Sequence, residues 1–140
     1  MKETPVLKTI DNPTTVPAPV GAYSHVVRLD SGDGSLLFLS GQVALDENGE
    51  LVGPGDMRAQ AFYVMELIEK ILAAHGATLD DVVNIRTFLT DMDLLPEYGE
   101  ARRAYIKGEP PSSTTVEVSR LFRPGALLEV EVVAALTRAA

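Results

Sequence analysis

The chain contains no cysteine, and this absence removes several kinds of chemistry at once. It excludes a disulfide framework, a thiol nucleophile and a cysteine-ligated metal site, and it fits a reducing, cytoplasmic setting. Its two histidines, His25 and His75, are far apart in the sequence, and no carboxylates accompany them at metal-ligand spacing. The sequence also lacks a glycine-rich phosphate loop. We therefore expect neither a metal nor a cofactor.

Long apolar runs and positive charge are also scarce. No run approaches the ~20 residues that span a bilayer, and the segment Met1–Pro5 has no apolar stretch of the secretory type. Asp and Glu number 20 against 12 Lys and Arg, which gives a net charge of −8. Such a charge repels phosphate backbones, so the composition favours neither a membrane nor a nucleic-acid partner.

The hydrophobic periodicity predicts one domain over residues 1–140. Thr4 to Val20, with four prolines, is predicted to be an extended lead-in. The remaining elements follow in the order ββ-α-β-α-ββ. They are strands at 23–29 and 35–43 joined by a hairpin turn, a helix from the N-cap Asp56 to Gly76, a strand at 82–90, a helix from Pro96 to about Ile106, and strands at 114–118 and 127–136.

Five strands and two helices in this order predict an α+β fold, with a mixed sheet and both helices on one face. In the last strand the apolar residues alternate with Glu129 and Glu131, which puts these glutamates on the face away from the helices. The same alternation assigns Thr115 and Glu117 of the preceding strand to that face. A face that is polar yet β-branched suits an interface with another subunit.

Four segments together resemble the RidA (YjgF) family of enamine/imine deaminases, over roughly residues 13–138. The segments are Ala22–Val27, Leu39–Val43, Pro111–Val118 and Leu128–Ala134. The resemblance implies a chorismate-mutase-like fold. It also implies a homotrimer with three clefts between subunits, each of which holds a small molecule.

The resemblance assigns roles to several residues. Glu129, the first glutamate of the final Glu-x-Glu, would hold and polarise the attacking water, and Tyr23 would wall the pocket and offer a hydroxyl. Ser40 and Gly41 match a Ser-Gly-Gln motif whose glycine lets a ligand approach the backbone. From the residues alone, Glu129 also fits a solvated strand position, Tyr23 a core aromatic residue and Gly41 a β-bulge glycine.

This chain departs from the family at two substrate-binding positions. Ser113 stands where the family has the arginine that clamps a substrate carboxylate, and Gly99 matches its asparagine on the second helix. A hydroxyl cannot replace a bidentate guanidinium. Arg102, on the same helix face as Gly99, is a candidate to restore the positive charge, although a solvated helix face is the favoured explanation.

Thr115, two residues after Ser113, is counted with the substrate-binding residues. His25 is a further candidate, because period-2 alternation places it on the face of Tyr23; a hydrogen-bonded structural histidine is the alternative. The first functional hypothesis is a hydrolytic deaminase acting on an imine or enamine other than a simple 2-imino acid. The second is a trimer that binds a metabolite or a partner without turnover.

Overall fold

The computed structural model describes residues 5–137, which form one six-stranded sheet covered by two helices. Thr4, the first residue of the predicted lead-in, lies outside this range. The strands are β1 (Leu7–Asp11), β2 (Val26–Ser31), β3 (Gly34–Leu39), β4 (Val82–Leu89), β5 (Ser112–Glu117) and β6 (Leu128–Thr137), and the helices are α1 (Met57–Ala73) and α2 (Leu95–Tyr105).

The sheet order is β1-β2-β3-β6-β4-β5, so the C-terminal strand lies in the middle of the sheet. All neighbouring strands are antiparallel except β4 and β5, which are parallel. The β2–β3 connection is the predicted hairpin, with Ser31 paired to Gly34 and a positive φ of 60° at Gly32. This backbone conformation favours glycine because a side chain there is sterically strained.

The helices begin and end within three residues of the predicted positions. The Asp56 carboxylate accepts a hydrogen bond from the Ala59 backbone N–H, so it caps the first turn of α1. Gly76 has φ 75°, which takes the chain out of the helical conformation after α1. Pro96 lies in the first turn of α2, where its missing N–H costs nothing.

Apolar side chains from α1, α2 and one face of the sheet form the main core. Along β6 the residues Leu128, Val130, Val132 and Ala134 are buried, and the residues between them are only partly covered. Glu129 and Glu131 therefore lie on the face away from the helices, which we call the open face. This outcome confirms the α+β sheet with two helices and the predicted facing of β6.

The N-terminal half of the sheet differs from the prediction. The lead-in contains a sixth strand, β1, which pairs along the free edge of β2. Four of its five residues are exposed, so the segment has no alternating burial pattern that would reveal a strand. The strand predicted from Tyr23 begins only at Val26, and the one predicted to Val43 ends at Leu39. Tyr23 and His25 thus lie in a loop before β2.

The predicted facing of β5 is wrong. Thr115 pairs with Thr87, and Glu117 with Leu89; both partners are buried against the helices. Since paired residues in adjacent strands project from the same face, Thr115 and Glu117 belong to the helix side. The Glu117 carboxylate accepts a hydrogen bond from the Met92 backbone N–H there. Edge position explains the error, because β5 is mostly exposed on both faces and its apolar pattern does not report burial.

Candidate active site

A cavity of about 250 Å³ opens beside Glu129. Four of the predicted site residues line it, namely Tyr23, Ser40, Gly41 and Glu129. They are joined by three residues for which no role was predicted, Val20, Gly21 and Phe122. The structure therefore brings together the water-positioning glutamate, the tyrosine wall and the Ser-Gly pair, although they come from three separate parts of the chain.

A β-bulge creates the floor of this cavity. Phe38 pairs with Val133, but the next bridge joins Gln42 to Val130, so three residues on one side face two on the other. Two backbone hydrogen bonds of 2.8 and 3.1 Å fix the Gln42–Val130 bridge. A bulge bends the strand and re-aims its residues, and here it turns Ser40 and Gly41 toward the cavity. Gly41 is therefore a β-bulge glycine, as the alternative drawn from the sequence alone predicted.

Gly41 also has a second role, which its sequence neighbourhood does not reveal. A Cβ at this position would lie 2.0 Å from Glu129 Oε1 and 2.8 Å from Glu129 Cδ and Cγ. The space left by the missing side chain is therefore filled by the Glu129 carboxylate. We expected this space to admit a ligand; instead it admits the candidate catalytic group.

The Glu129 carboxylate is electrostatically isolated. Burial raises its pKa above the ordinary value for a glutamate, and the nearby negative charge of Glu131 raises it further. Glu131 forms an ion pair with Arg86, Nε to Oε1 at 2.9 Å, whereas Glu129 forms none among the described residues. A half-buried carboxylate without a counter-ion binds a proton more readily, and this property suits a general base.

His25 lies behind the cavity and is held by hydrogen bonds, which agrees with its structural alternative. It is 5% exposed, and its Nε2–H donates to the Pro17 carbonyl at 2.7 Å. The other ring nitrogen then accepts from the Gln42 side-chain amide at 3.2 Å. The same amide donates to the Ser40 carbonyl, so His25 supports the bulge. The Tyr23 ring lies edge-on to the imidazole, with the ring centroids 6.4 Å apart.

The other predicted residues form a second group along α2 and β5. Arg102 Nη1 donates to Ser113 Oγ at 2.9 Å, and the Arg102 guanidinium lies over the Tyr98 ring at 5.8 Å. Ser113 pairs with the buried Ile85 and so lies on the helix side, as does Thr115. Gly99 precedes Arg102 by one helical turn. None of these residues lines the cavity beside Glu129.

Phe122 is the site residue that sequence reasoning missed. It belongs to the β5–β6 connection and is 60% exposed, with its side chain against the cavity. The available signal was an aromatic residue in a Pro-Gly-containing loop seven residues before Glu129. Exposed aromatic residues in loops are common at binding sites.

Two findings on the described residues concern metal binding and membrane crossing. Between residues 5 and 137, no cluster of three or more His, Cys, Asp and Glu side chains is arranged to hold a metal ion. Over the same range, neither helix is long and apolar enough to cross a membrane.

Comparison with known proteins agrees with the fold. The family model described as Endoribonuclease L-PSP matches residues 13–136. The chain is 34% identical over 127 residues to the 3-aminoacrylate deaminase RutC of Acinetobacter baylyi, covering 91% of this chain and 97% of that protein.

Two solved structures show the same fold. RidA from an Antarctic Psychrobacter superposes with a TM-score of 0.80 at 32% identity, over 91% of this chain and 98% of that one. Escherichia coli TdcF, solved with bound serine, gives 0.79 at 27% identity, over 94% and 99%. Relatives in this group are named as deaminases, and one is seen with a small molecule. The chain belongs to the Endoribonuclease L-PSP family, the family of the RidA and YjgF proteins.

Proposed function

We propose that the protein hydrolyses an imine or enamine, with Glu129 positioning and activating the attacking water. The observation that carries this proposal is the isolated, half-buried Glu129 carboxylate in a cavity walled by Tyr23 and Phe122. The deaminase names of relatives support the same class of reaction. The absence of cysteine supports a cytoplasmic setting as part of the proposal.

In the proposed reaction, the water oxygen attacks the carbon of the C=N bond while Glu129 accepts one of its protons. The substrate nitrogen takes up this proton, which gives a neutral carbinolamine. Glu129 then transfers the hydroxyl proton to the nitrogen, and the C–N bond breaks as the C=O bond forms. One water is consumed, and one carbonyl compound and one ammonia are released. An enamine enters the same path after tautomerising to the imine, with one proton gained on carbon and one lost from nitrogen. In this proposal the Tyr23 hydroxyl hydrogen-bonds the substrate as the nitrogen leaves.

We propose that the substrate is not a simple 2-imino acid. The described residues that line the cavity include no arginine or lysine, and Ser113 stands where the family has its carboxylate-binding arginine. Loss of one buried charge-assisted contact costs about 2–5 kcal/mol, or roughly 30-fold to several thousand-fold in rate. We expect weak hydrolysis of imines generated from amino acids, and partial recovery in Ser113→Arg. Wild-type rates equal to those of an arginine-bearing relative would contradict this point.

We propose that the protein is a homotrimer whose site is completed by a second subunit. Within one protomer Glu129 lies on the open face, and Ser113 on the helix side, so one small ligand cannot contact both unless a second copy contributes. The open face also exposes Leu36 and Phe38, which supports its burial against another copy. Light scattering should give three times 15.0 kDa. A monomer mass at micromolar concentration would refute this assembly.

The decisive experiment compares Glu129→Gln with Glu131→Gln. Both substitutions remove one negative charge from β6 and keep the side-chain shape. We expect Glu129→Gln to retain the oligomer and its melting temperature within a few degrees while reducing turnover by about 10²–10⁴-fold, the usual cost of losing a general base. Glu131→Gln should lose much less. The assay is ammonia release from imines produced by amine oxidases and amino-acid oxidases.

The alternative is a trimer that binds a metabolite or a protein partner without turnover. The observation that favours it is the replacement of two family contact residues, by Ser113 and Gly99. Equal, small losses in the two glutamate variants would move the chemistry elsewhere, to His25 or Arg102, and would favour this alternative if substitution of neither of those residues mattered. An RNA-cleaving function is not proposed, although the family description names one, because a net charge of −8 repels RNA.

A further inference from the structure

Three large apolar side chains surround the opening of the cavity beside Glu129. Val20 is 54% exposed, Tyr23 42% and Phe122 60%, and all three line the same space. They come from two loops that are far apart in the sequence, yet they meet around one carboxylate. Exposed apolar residues that converge on a polar group are typical of a small-molecule site, in which the apolar wall binds the body of the ligand.

The charge around this wall disfavours an acidic ligand. Among the residues that the structure describes, Glu129 is the one charged residue in the lining of the cavity. The arginine next to Phe122, Arg123, is directed to Glu50 at 3.6 Å, and Arg86 is paired with Glu131. Within one protomer, an anionic group placed here would meet the negative charge of Glu129 with no arginine or lysine among the described lining residues to balance it, and like charges in a partly desolvated site repel strongly.

The size of the cavity limits the ligand. A volume of about 250 Å³ corresponds to roughly eight waters at about 30 Å³ each. A smaller space of about 30 Å³, lined in part by His25 and Gln42, adjoins it and shares Val20, Tyr23, Gly41 and Phe122. The cavity is therefore large enough for a short alkyl chain or a single aromatic ring beside a reacting carbon.

From these observations we propose that Phe122, together with Val20 and Tyr23, binds an uncharged alkyl or aryl substituent on the reacting carbon of the substrate. This inference rests on the proposed function and narrows it. The substrate class is a neutral aldimine, ketimine or enamine with a hydrocarbon substituent and no acidic group on the reacting carbon. Phe122 is then the residue that sets specificity, while Glu129 performs the chemistry.

The test measures binding, so it does not depend on turnover. Stable ketones replace the imines as probes, and ligand-observed NMR gives their dissociation constants. The ketone series is 2-butanone, 2-pentanone and 2-hexanone, and a matched pair is acetophenone with phenylglyoxylate, in which a carboxylate replaces the methyl group. In the wild type, affinity should rise roughly threefold per added methylene. Acetophenone should bind at least about tenfold more tightly than phenylglyoxylate.

Variants then assign the effect to Phe122. Phe122→Ala should weaken 2-hexanone and acetophenone by roughly tenfold and flatten the chain-length series, and Phe122→Leu should be intermediate because it keeps part of the hydrocarbon. Leu95→Ala is the matched control. Leu95 is likewise an exposed apolar residue, but it begins α2 and does not line the cavity. Its affinities should change by less than about twofold.

Two results would overturn the inference: a chain-length series that is flat in the wild type or unchanged in Phe122→Ala, and tighter binding of phenylglyoxylate than of acetophenone. The proposed hydrolysis is tested separately by the Glu129→Gln turnover comparison. Turnover that requires Glu129 but not Phe122, and that does not depend on the charge of the substrate, would support the proposed hydrolysis and contradict the apolar binding site. Apolar binding that depends on Phe122 without any turnover would support the apolar binding site and contradict the proposed hydrolysis.

Discussion

Replacing Gly41 by alanine tests the contact on which the candidate site depends. The new Cβ would lie 2.0 Å from Glu129 Oε1, at least 1.0 Å inside the 3.0 Å limit that Cβ atoms respect. Gly41 is not among the residues with a positive φ, so alanine meets no backbone penalty. The carboxylate must therefore move by about 1 Å or more. A displacement of this size commonly costs about 10²-fold in rate.

The assay for Gly41→Ala combines turnover with a double-mutant cycle of stability. Urea unfolding should show a loss for Gly41→Ala alone. In the Glu129→Ala background the obstructing side chain is gone, so the added alanine should be neutral, or stabilising by about 0.4–1 kcal/mol through the unfolded chain. An equal loss in both backgrounds would show that the backbone, and not Glu129, requires the glycine. Full turnover in Gly41→Ala would refute the proposed position of the carboxylate.

Two further predictions concern pH and the edge of the sheet. Burial and Glu131 raise the pKa of Glu129, so the ionised base is lost and activity falls as pH decreases through that raised value. Glu131→Gln should therefore move this acidic limb of the kcat/KM profile to lower pH. An unmoved limb would contradict the electrostatic coupling between the two carboxylates. Asp11 Oδ2 lies 2.8 Å from His75 Nε2 and links β1 to the end of α1. Asp11→Ala should therefore lower the free energy of unfolding in urea by about 1 kcal/mol and speed amide hydrogen exchange in β1. Asp33→Ala, in the exposed hairpin turn, is the control and should do neither.

Alternation predicted the central strand correctly because burial there is unambiguous. Every second residue of β6 from Leu128 to Ala134 is buried against the helices. The predicted position of Glu129 on the open face followed directly from that pattern. At the sheet edges the same rule fails, since β1 and β5 are exposed on both faces and their polar and apolar residues carry little information about facing. Thr115 and Glu117 were assigned to the wrong face for this reason.

The contacts that build the site are long-range, and this limits what the sequence reveals. The resemblance to the family identified Tyr23, Ser40, Gly41 and Glu129 as site residues, and the structure brings these four together. It did not reveal why Gly41 is a glycine, because the carboxylate that needs the space is 88 positions later in the chain. The resemblance also gave no role to Phe122, whose loop reaches the cavity only after β5 and β6 have paired with β4.

The bulge at residues 39–41 joins the fold to the proposed chemistry. In a regular antiparallel continuation of the Phe38–Val133 pair, Gly41 would pair with Val130 and share its face, which is the core face. The extra residue shifts this pairing to Gln42, so Gly41 is freed to lie against Glu129. The Gln42 amide, held by His25, then fixes the Ser40 carbonyl and keeps the bulge in place. The position of the carboxylate thus depends on a register shift, and a residue outside the lining of the Glu129 cavity, such as His25, acts on the site through that shift.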